Sequence, residues 1–406
     1  MHILHHDFGG YPYPAELSRA LAARGHRVTH AFCPSLETTP GGAFARREDD
    51  PEGFDFAPLS LGEPLAKYDF LKRRRQEARY GVMAAELTER LRPDVVISAN
   101  MPLDAQKTLQ AACRKAGIPF VFWLQDVIGV ATHRLLRRKL PIAGEVIGRY
   151  YLALEAKLLR RSDAVVPITD DFKPLLQEWG VADDRVTTIE NWAPLAELSV
   201  RPKDNPWAVA QGLADRFVFL YAGTMGMKHN PELIARLAEA VNDHDDVRMV
   251  VISQGPGADY LREQQTARGL RHLVVQGYEP FERMPDVMGT ADVLTAILEP
   301  DAGAFSVPSK VLSYLCAARP LLTAMPLENL ASRIVAREGA GVVVAPDDLE
   351  GFVVGGRRLL DDATARTTMG ANARAYAERA FAIDAITDRF EAVLDEAVAR
   401  RGAAGR

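Results

Sequence analysis

Hydrophobic and polar positions follow two periods along the chain, and stretches of the two periods alternate. Short, almost wholly apolar runs predict strands at residues 2–4, 27–32, 95–98, 120–124, 164–168 and 186–189. Between several of them, apolar residues recur at three- and four-residue spacing. That spacing predicts helices at 15–24 (closed by Gly25), 79–91 and 105–116. Apolar runs bounded by turn residues suit strands buried on both faces, and strand–helix alternation implies a parallel sheet covered on both sides. A stretch rich in proline and polar residues, 192–206, interrupts the pattern as an interdomain linker does. The alternation then resumes, with strands predicted at 217–221, 247–252, 273–276, 293–297, 321–323 and 341–344. Helices are predicted at 231–242, 257–268, 285–289, 310–317 and 327–338, and the tail, 363–399, reads as two helices parted near Phe381. The expected fold class is α/β, with two doubly wound, Rossmann-like domains facing across a cleft. The boundaries fall at 1–196 and 197–380, and 381–406 is a C-terminal helix packing back toward the first domain.

Composition narrows the class without changing it. A chain of 406 residues, 48% hydrophobic and 25% charged, is an ordinary globular protein of two or three domains. The longest apolar run, 118–124, is far short of the roughly 20 residues a membrane-spanning helix needs. The opening MHILHHDFGG lacks the cationic-then-apolar pattern of a secretory signal. Cys33, Cys113 and Cys316 form no C-x-x-C, so the reading is a reducing, cytoplasmic protein without structural zinc. A net charge of −5 argues against nucleic acid as a partner. The charge is uneven: residues 1–196 carry 26 Lys/Arg against 25 Asp/Glu, and residues 197–406 carry 23 against 29, consistent with a split near residue 200.

Candidate chemistry concentrates where strands end. Gly9-Gly10 lies between the first strand and first helix, where glycine lets backbone N–H groups approach an anion; the alternative is a tight turn. It is not a G-x-G-x-x-G fingerprint. YAGTMGMKHN (221–230) joins Gly223, Thr224 and Lys228 ahead of a helix start, a combination suited to a diphosphate; the alternative is a loop with a solvated lysine. In 298–324, Ser306 and Lys310 precede or open a helix, and Ser313 shares a face with Lys310 at i, i+3. A lysine there opposes the helix dipole unless an anion is bound beside it. In FWLQDVIGVATH (122–133), Asp126 stands at a strand's carboxyl end, placed to orient a hydroxyl or accept a proton, with His133 as a rival base. Asp243-His-Asp245 reads as a solvated turn, and no spacing suggests a metal site. Residues 133–161 hold eight Lys/Arg and two Asp/Glu interleaved with Leu, Ile and Tyr, and 72–75 add a second basic run. Such segments lie on anionic membranes or form buried helices with a charged outer face.

In order along nearly the whole chain, these segments resemble the GT-B nucleotide-sugar glycosyltransferases, specifically the retaining glycosyltransferase family 4. Gly9-Gly10 with ELSRALAARGHRVT is similar to that family's opening strand, glycine loop and helix. TTIENWAP resembles the strand and Asn before the linker, and YAGTMGMKHNPEL the first donor-phosphate loop. QGYEPFERMPDVMGTADV resembles the segment beside the nucleotide base. VPSKVLSYLCAARPLL is similar to the P-S-K-x-x-E-Y-x-A-x-G-x-P segment of bacterial surface-polysaccharide transferases. The chain departs from the family where two glutamates are usual: Phe305 and Ser313 occupy those positions, and Ala318 replaces a glycine. Glu299 is the candidate replacement carboxylate.

The resemblance implies a retaining, metal-independent transfer of a sugar from a nucleoside-diphosphate donor, with UDP-sugars favoured and aminodeoxy hexoses among the candidates. No separate cofactor is implied. It assigns the first domain to a glycan or polyprenyl-linked acceptor and the second to the donor. Asp126 and Lys310 are the expected catalytic pair. Gly9, Gly10, Gly223, Thr224, Lys228, Gln254, Tyr278, Glu299, Ser306, Lys310 and Ser313 are the expected donor contacts. An anionic membrane surface, at the inner face of the plasma membrane, is the further candidate partner. The rival readings are a sugar-nucleotide epimerase and a degenerate, non-catalytic partner subunit.

Overall fold

The computed structural model describes residues 1–36, 44–66, 69–226, 229–300 and 307–404. The chain divides into two compact units, Met1–Glu190 with Ile383–Arg406, and Asn191–Ala382. The first is built on β1 (His2–Asp7), α1 (Pro12–Ala23), β2 (Arg27–Phe32), β3 (Phe54–Pro58), α2 (Phe70–Leu91), β4 (Val95–Ala99) and α3 (Leu103–Ala116). It continues through β5 (Phe120–Leu124), α4 (Ile128–Lys139), α5 (Pro141–Arg161), β6 (Ala164–Pro167) and α6 (Lys173–Glu178). Its sheet is parallel, with order β3-β2-β1-β4-β5-β6. The order reverses between β1 and β4, the switch point beside which ligands bind in sheets of this kind. Phe54–Pro58 supplies the outer strand, which the sequence pattern did not predict. The strand expected at 186–189 is reduced to a single bridge from Val186 to Val165.

The second unit runs α7 (Pro206–Ala210), β7 (Phe217–Ala222), α8 (Glu232–Ala240), β8 (Val247–Ile252), α9 (Pro256–Ala267), β9 (Leu273–Gln276), α10 (Met284–Thr290) and β10 (Val293–Ile297). Then come α11 (Ser309–Leu315), β11 (Leu321–Ala324), α12 (Leu330–Arg337), β12 (Gly341–Val344), α13 (Leu349–Asp361) and α14 (Ala363–Ala380). Its sheet, β12-β11-β10-β7-β8-β9, is again parallel and reverses between β7 and β10. Phe219, Tyr221, Met249, Val251, Val293 and Leu322 meet Leu233, Leu237 and Phe352 in its core. The six predicted strands of this half are all present.

α15 (Ile383–Ala404) belongs to the first unit, not to the unit that precedes it in the chain. Phe390 is fully buried against Trp123 of β5, with ring centroids 4.8 Å apart. Glu391 accepts hydrogen bonds from Arg24 and His26, and Arg401 pairs with Asp163 at 3.5 Å. Emptying the Phe390 site leaves a cavity under the sheet, so Phe390→Ala is expected to cost about 3 kcal/mol. Urea denaturation monitored through unit 1 checks this; an unchanged midpoint would show that α15 is not structural. No helix among the described residues is long and apolar enough to cross a membrane.

Candidate functional site

At the switch point of the second sheet, β7 ends and the chain turns sharply. Tyr314 of α11 holds the strand end from below: its hydroxyl accepts from Ala222 N–H (2.8 Å) and donates to Ala222 C=O (2.9 Å). Gly223 follows at φ +129°, a conformation only glycine adopts without strain, and its N–H is bonded to Ile252 C=O at 2.9 Å. The next residue, Thr224, accepts from Tyr221 Oη through its carbonyl (2.8 Å) and from Tyr278 Oη through its hydroxyl (3.1 Å). Lys310, in the first turn of α11, reaches back over this turn. Its ammonium donates to Tyr221 Oη and to Thr224 C=O (3.4 Å) and lies 3.9 Å from the centroid of the Tyr221 ring. A Cβ on Gly223 would come within 3.4 Å of that ammonium, so the glycine also leaves the lysine its space.

The electrostatics of this arrangement are one-sided. Among the described residues, no carboxylate pairs with Lys310, and burial pulls its amine down to about 7. The residue as a whole is half-buried. An amine held this way regains its charge when an anion arrives, because the anion supplies what burial removed. Gln254, exposed at the end of β8, approaches the backbone of Gly277 next to Tyr278. Glu299 stands just past β10 and Ser313 one turn along α11 from Lys310, both half-buried. The structure therefore brings Gly223, Thr224, Tyr278 and Lys310 into one bonded group. It places Gln254, Glu299 and Ser313 on the adjoining strand ends and helix. Lys228 and Ser306 lie outside the described residues.

The switch point of the first sheet is built differently. Asp7, the last residue of β1, is buried, and its carboxylate accepts from the N–H groups of Gly9 (3.2 Å) and Tyr11 (2.8 Å) and from Asn100 Nδ2 (2.9 Å). Burial pushes Asp7 up to about 6 against the pull of those bonds. Gly10 (φ +64°) and Asn100 (φ +56°) both take left-handed backbone to close this latch. Gly9-Gly10 reads from the sequence either as amides for a ligand phosphate or as a tight turn. The structure shows the Gly9 amide, together with that of Tyr11, already committed to a carboxylate of the chain itself. The signal for this was Asp7, an acidic residue two positions before the first glycine.

Asp126, half-buried past β5, raises the pKa values of Tyr11, Tyr13 and Glu155 through its charge, which sets it among them. Tyr13 Oη donates to Gln125 Oε1 at 2.9 Å. Glu155, fully buried on α5, accepts from the first free amides of α4, Ile128 (3.0 Å) and Gly129 (2.8 Å), and burial pushes it up to about 8. His133, considered a rival base, instead bonds Glu145 at 3.0 Å and fastens α4 to α5.

Residues 8–192 match the family described as "Glycosyl transferase 4-like domain", and residues 216–362 the one described as "Glycosyl transferases group 1". Among solved structures, the chain is similar to Anabaena HepE in complex with UDP and glucose (TM-score 0.68, 16% identity, 97% of this chain and 99% of that one). It is also similar to sucrose-phosphate synthase from Thermosynechococcus elongatus (TM-score 0.74, 15% identity, 98% and 100%). These likenesses are of fold. An exopolysaccharide phosphotransferase of Streptomyces coelicolor is 27% identical over 240 residues, which is 59% of this chain but only 24% of that relative's length.

Proposed function

Because the chain belongs to the glycosyltransferases that join a glycosyl transferase 4-like domain to a group 1 domain, we propose that it transfers a sugar from a nucleoside-diphosphate donor, a UDP-sugar foremost, to a glycan or polyprenyl-linked acceptor at the inner face of a membrane. The observation that carries the reading is Lys310, an amine with no carboxylate partner among the described residues, aimed at the end of the central strand of unit 2. That the HepE structure holds UDP and glucose supports the choice of donor.

In this reading the leaving group is a nucleoside diphosphate, and Lys310 neutralises the charge that grows on it as the glycosidic bond breaks. Fixed donors of this kind need no reorganisation during reaction. The Gly223–Thr224 turn presents backbone to the phosphates, with Lys228 and Ser306 read from the sequence as contacts of the same phosphates. Tyr278 and Gln254 flank the base, and Ser313 and Glu299 take the ribose hydroxyls. Asp126 orients a sugar hydroxyl rather than serving as a strong base. Transfer proceeds on one face of the sugar, with retention and with lysine in place of a metal.

A donor screen that follows released nucleotide tests this. UDP-sugars are expected to give acceptor-dependent release, with the anomeric configuration of the product unchanged by NMR. Isomerised free sugar without acceptor would point to an epimerase. No thermal stabilisation by any nucleoside diphosphate would point to a non-catalytic subunit.

A further inference from the structure

We propose that the tip of the α4–α5 hairpin is a docking surface for an anionic lipid bilayer. The proposal rests on the membrane-facing part of the reading above and does not depend on the donor chemistry. α4 and α5 lie in close backbone contact: Cβ atoms added at Gly144 and Gly148 would strike Leu136 C=O (2.1 Å) and the His133 side chain (2.3 Å). Glu145 ties His133, Arg137 and Arg149 together, and buried Glu155 caps α4. The hairpin is thus a rigid paddle, and both of its acidic side chains are used internally.

Among the described residues, nothing covers the outer surface of the paddle. Gly144 and Gly148 mark the face of α5 that meets α4, and the opposite face carries Ile142, Val146, Arg149, Ala153 and Lys157 at helical spacing. Ile142 is 86% exposed, Val146 68% and Leu140, at the junction of the two helices, 54%. Arg134, Arg137, Arg138 and Lys139 of α4 surround the same tip and are all exposed. Asp104 of α3 accepts from Tyr150 and Tyr151 of α5 and from Arg74 of α2, which brings one more cation, Arg74, to the flank of α5.

The occupant follows from the chemistry. Isolated exposed aliphatics are ordinary, but several gathered at a rigid tip mark a contact surface. Nucleic acid would match the charge but not Ile142, Val146 and Leu140. A bilayer interface with anionic headgroups takes both, the aliphatics entering the acyl boundary and the Arg/Lys ring meeting the phosphates.

Flotation of the full chain with vesicles tests the assignment. Vesicles of phosphatidylcholine with about 30% phosphatidylglycerol are expected to bind at least 20-fold better than pure phosphatidylcholine, and 0.5 M salt should weaken the binding. At about fivefold per charge, R137Q/R138Q/K139Q loses about 100-fold. I142E/V146E loses binding to both vesicle types, and V354E, at an exposed aliphatic of unit 2, changes nothing. Nucleotide-induced thermal shifts stay the same in every variant. A chain that shows no UDP shift yet floats refutes the donor reading and leaves this one standing. Equal binding to both vesicle types, binding unaffected by the hairpin variants, or absence of binding together with a dimer that I142E/V146E disperses would each overturn the proposal.

Discussion

Lys310→Met is expected to lower turnover by about 100- to 1,000-fold, the usual loss when one fixed donor to a developing charge is removed. The same variant is expected to raise the Tm of the ligand-free protein at pH 7. In the unfolded chain the amine titrates near its ordinary value, whereas burial lowers it to about 7 in the fold. The native state therefore binds fewer protons between those values, and stability is lost as pH falls from about 10.5 toward 7. Methionine removes that cost and keeps an unbranched side chain of similar length beside the Tyr221 ring, over which the ammonium lies. A variant that is more heat-stable and inactive separates a ligand-binding lysine from a structural one, since loss of a structural lysine lowers both. The pH dependence of donor binding adds a second check. A bound diphosphate raises the amine's pKa, so binding takes up a proton, and affinity should fall roughly tenfold per unit as pH rises above about 7. A UDP-sugar affinity that is flat from pH 6.5 to 8.5, or full turnover in Lys310→Met, would remove Lys310 from the site.

The other large effect belongs to acid. β1 and β2 carry three histidines into the core of unit 1. His5 and His30 share the Ser18 hydroxyl at 2.7 and 2.8 Å, and His6 bonds Tyr80 Oη at 2.8 Å. The second ring nitrogens of His5 and His30 are buried without a partner among the described residues. Burial lowers His5 and His6 to about 3, and His30 falls well below its usual range for the same reason. Unfolded histidines take protons below about 6.5 and the folded ones do not, so each subtracts stability as pH falls through that window. Asp7 and Glu155 work the other way. Raised to about 6 and about 8, they hold protons that the unfolded chain has released, and stability from them grows as pH falls toward about 4.5. Glu155 acts alone from about pH 8 to 6.5, and the two trends oppose each other from there to about pH 4.5. Below about 4 the histidines are joined by carboxylates that ion pairs hold low, such as Asp50, Glu145 and Glu391, and unit 1 should lose at least about 1.4 kcal/mol per pH unit for each histidine. Urea midpoints at pH 7, 5, 4 and 3.5 measure this, and His5→Leu should reduce the acid slope by about one proton. Equal slopes in wild type and His5→Leu would show that the histidine is not held neutral.

Legibility followed burial. The strands of unit 2 stand out because they are runs such as FVFLYA and VLTAI, apolar on both faces. Phe54–Pro58 escaped because it is an outer strand with Asp55 in its middle and only Phe54 fully buried. α13 escaped because two adjacent glycines, Gly355 and Gly356, interrupt its pattern; both pack where side chains of β11, β12 and α8 leave no room for a Cβ. In the site, Gly223, Thr224 and Lys310 were legible because each marks a strand end or helix start. Tyr221 and Tyr314 were not, since an aromatic in a buried run looks like core until its hydroxyl is seen bonding backbone. Asp7 was hidden by the glycines that follow it, which drew the reading toward a ligand when the partner was the preceding residue.

The return of α15 to the first unit reverses the usual order in which a chain matures on the ribosome. Domains commonly complete themselves from the amino end as synthesis proceeds. Here unit 2 is one continuous stretch, whereas the pocket that Trp123 presents stays open until Phe390 emerges, after all of unit 2 has been made. The nascent polypeptide thus finishes its second lobe while the first still exposes part of its core, and chaperone dependence should be sought in that interval.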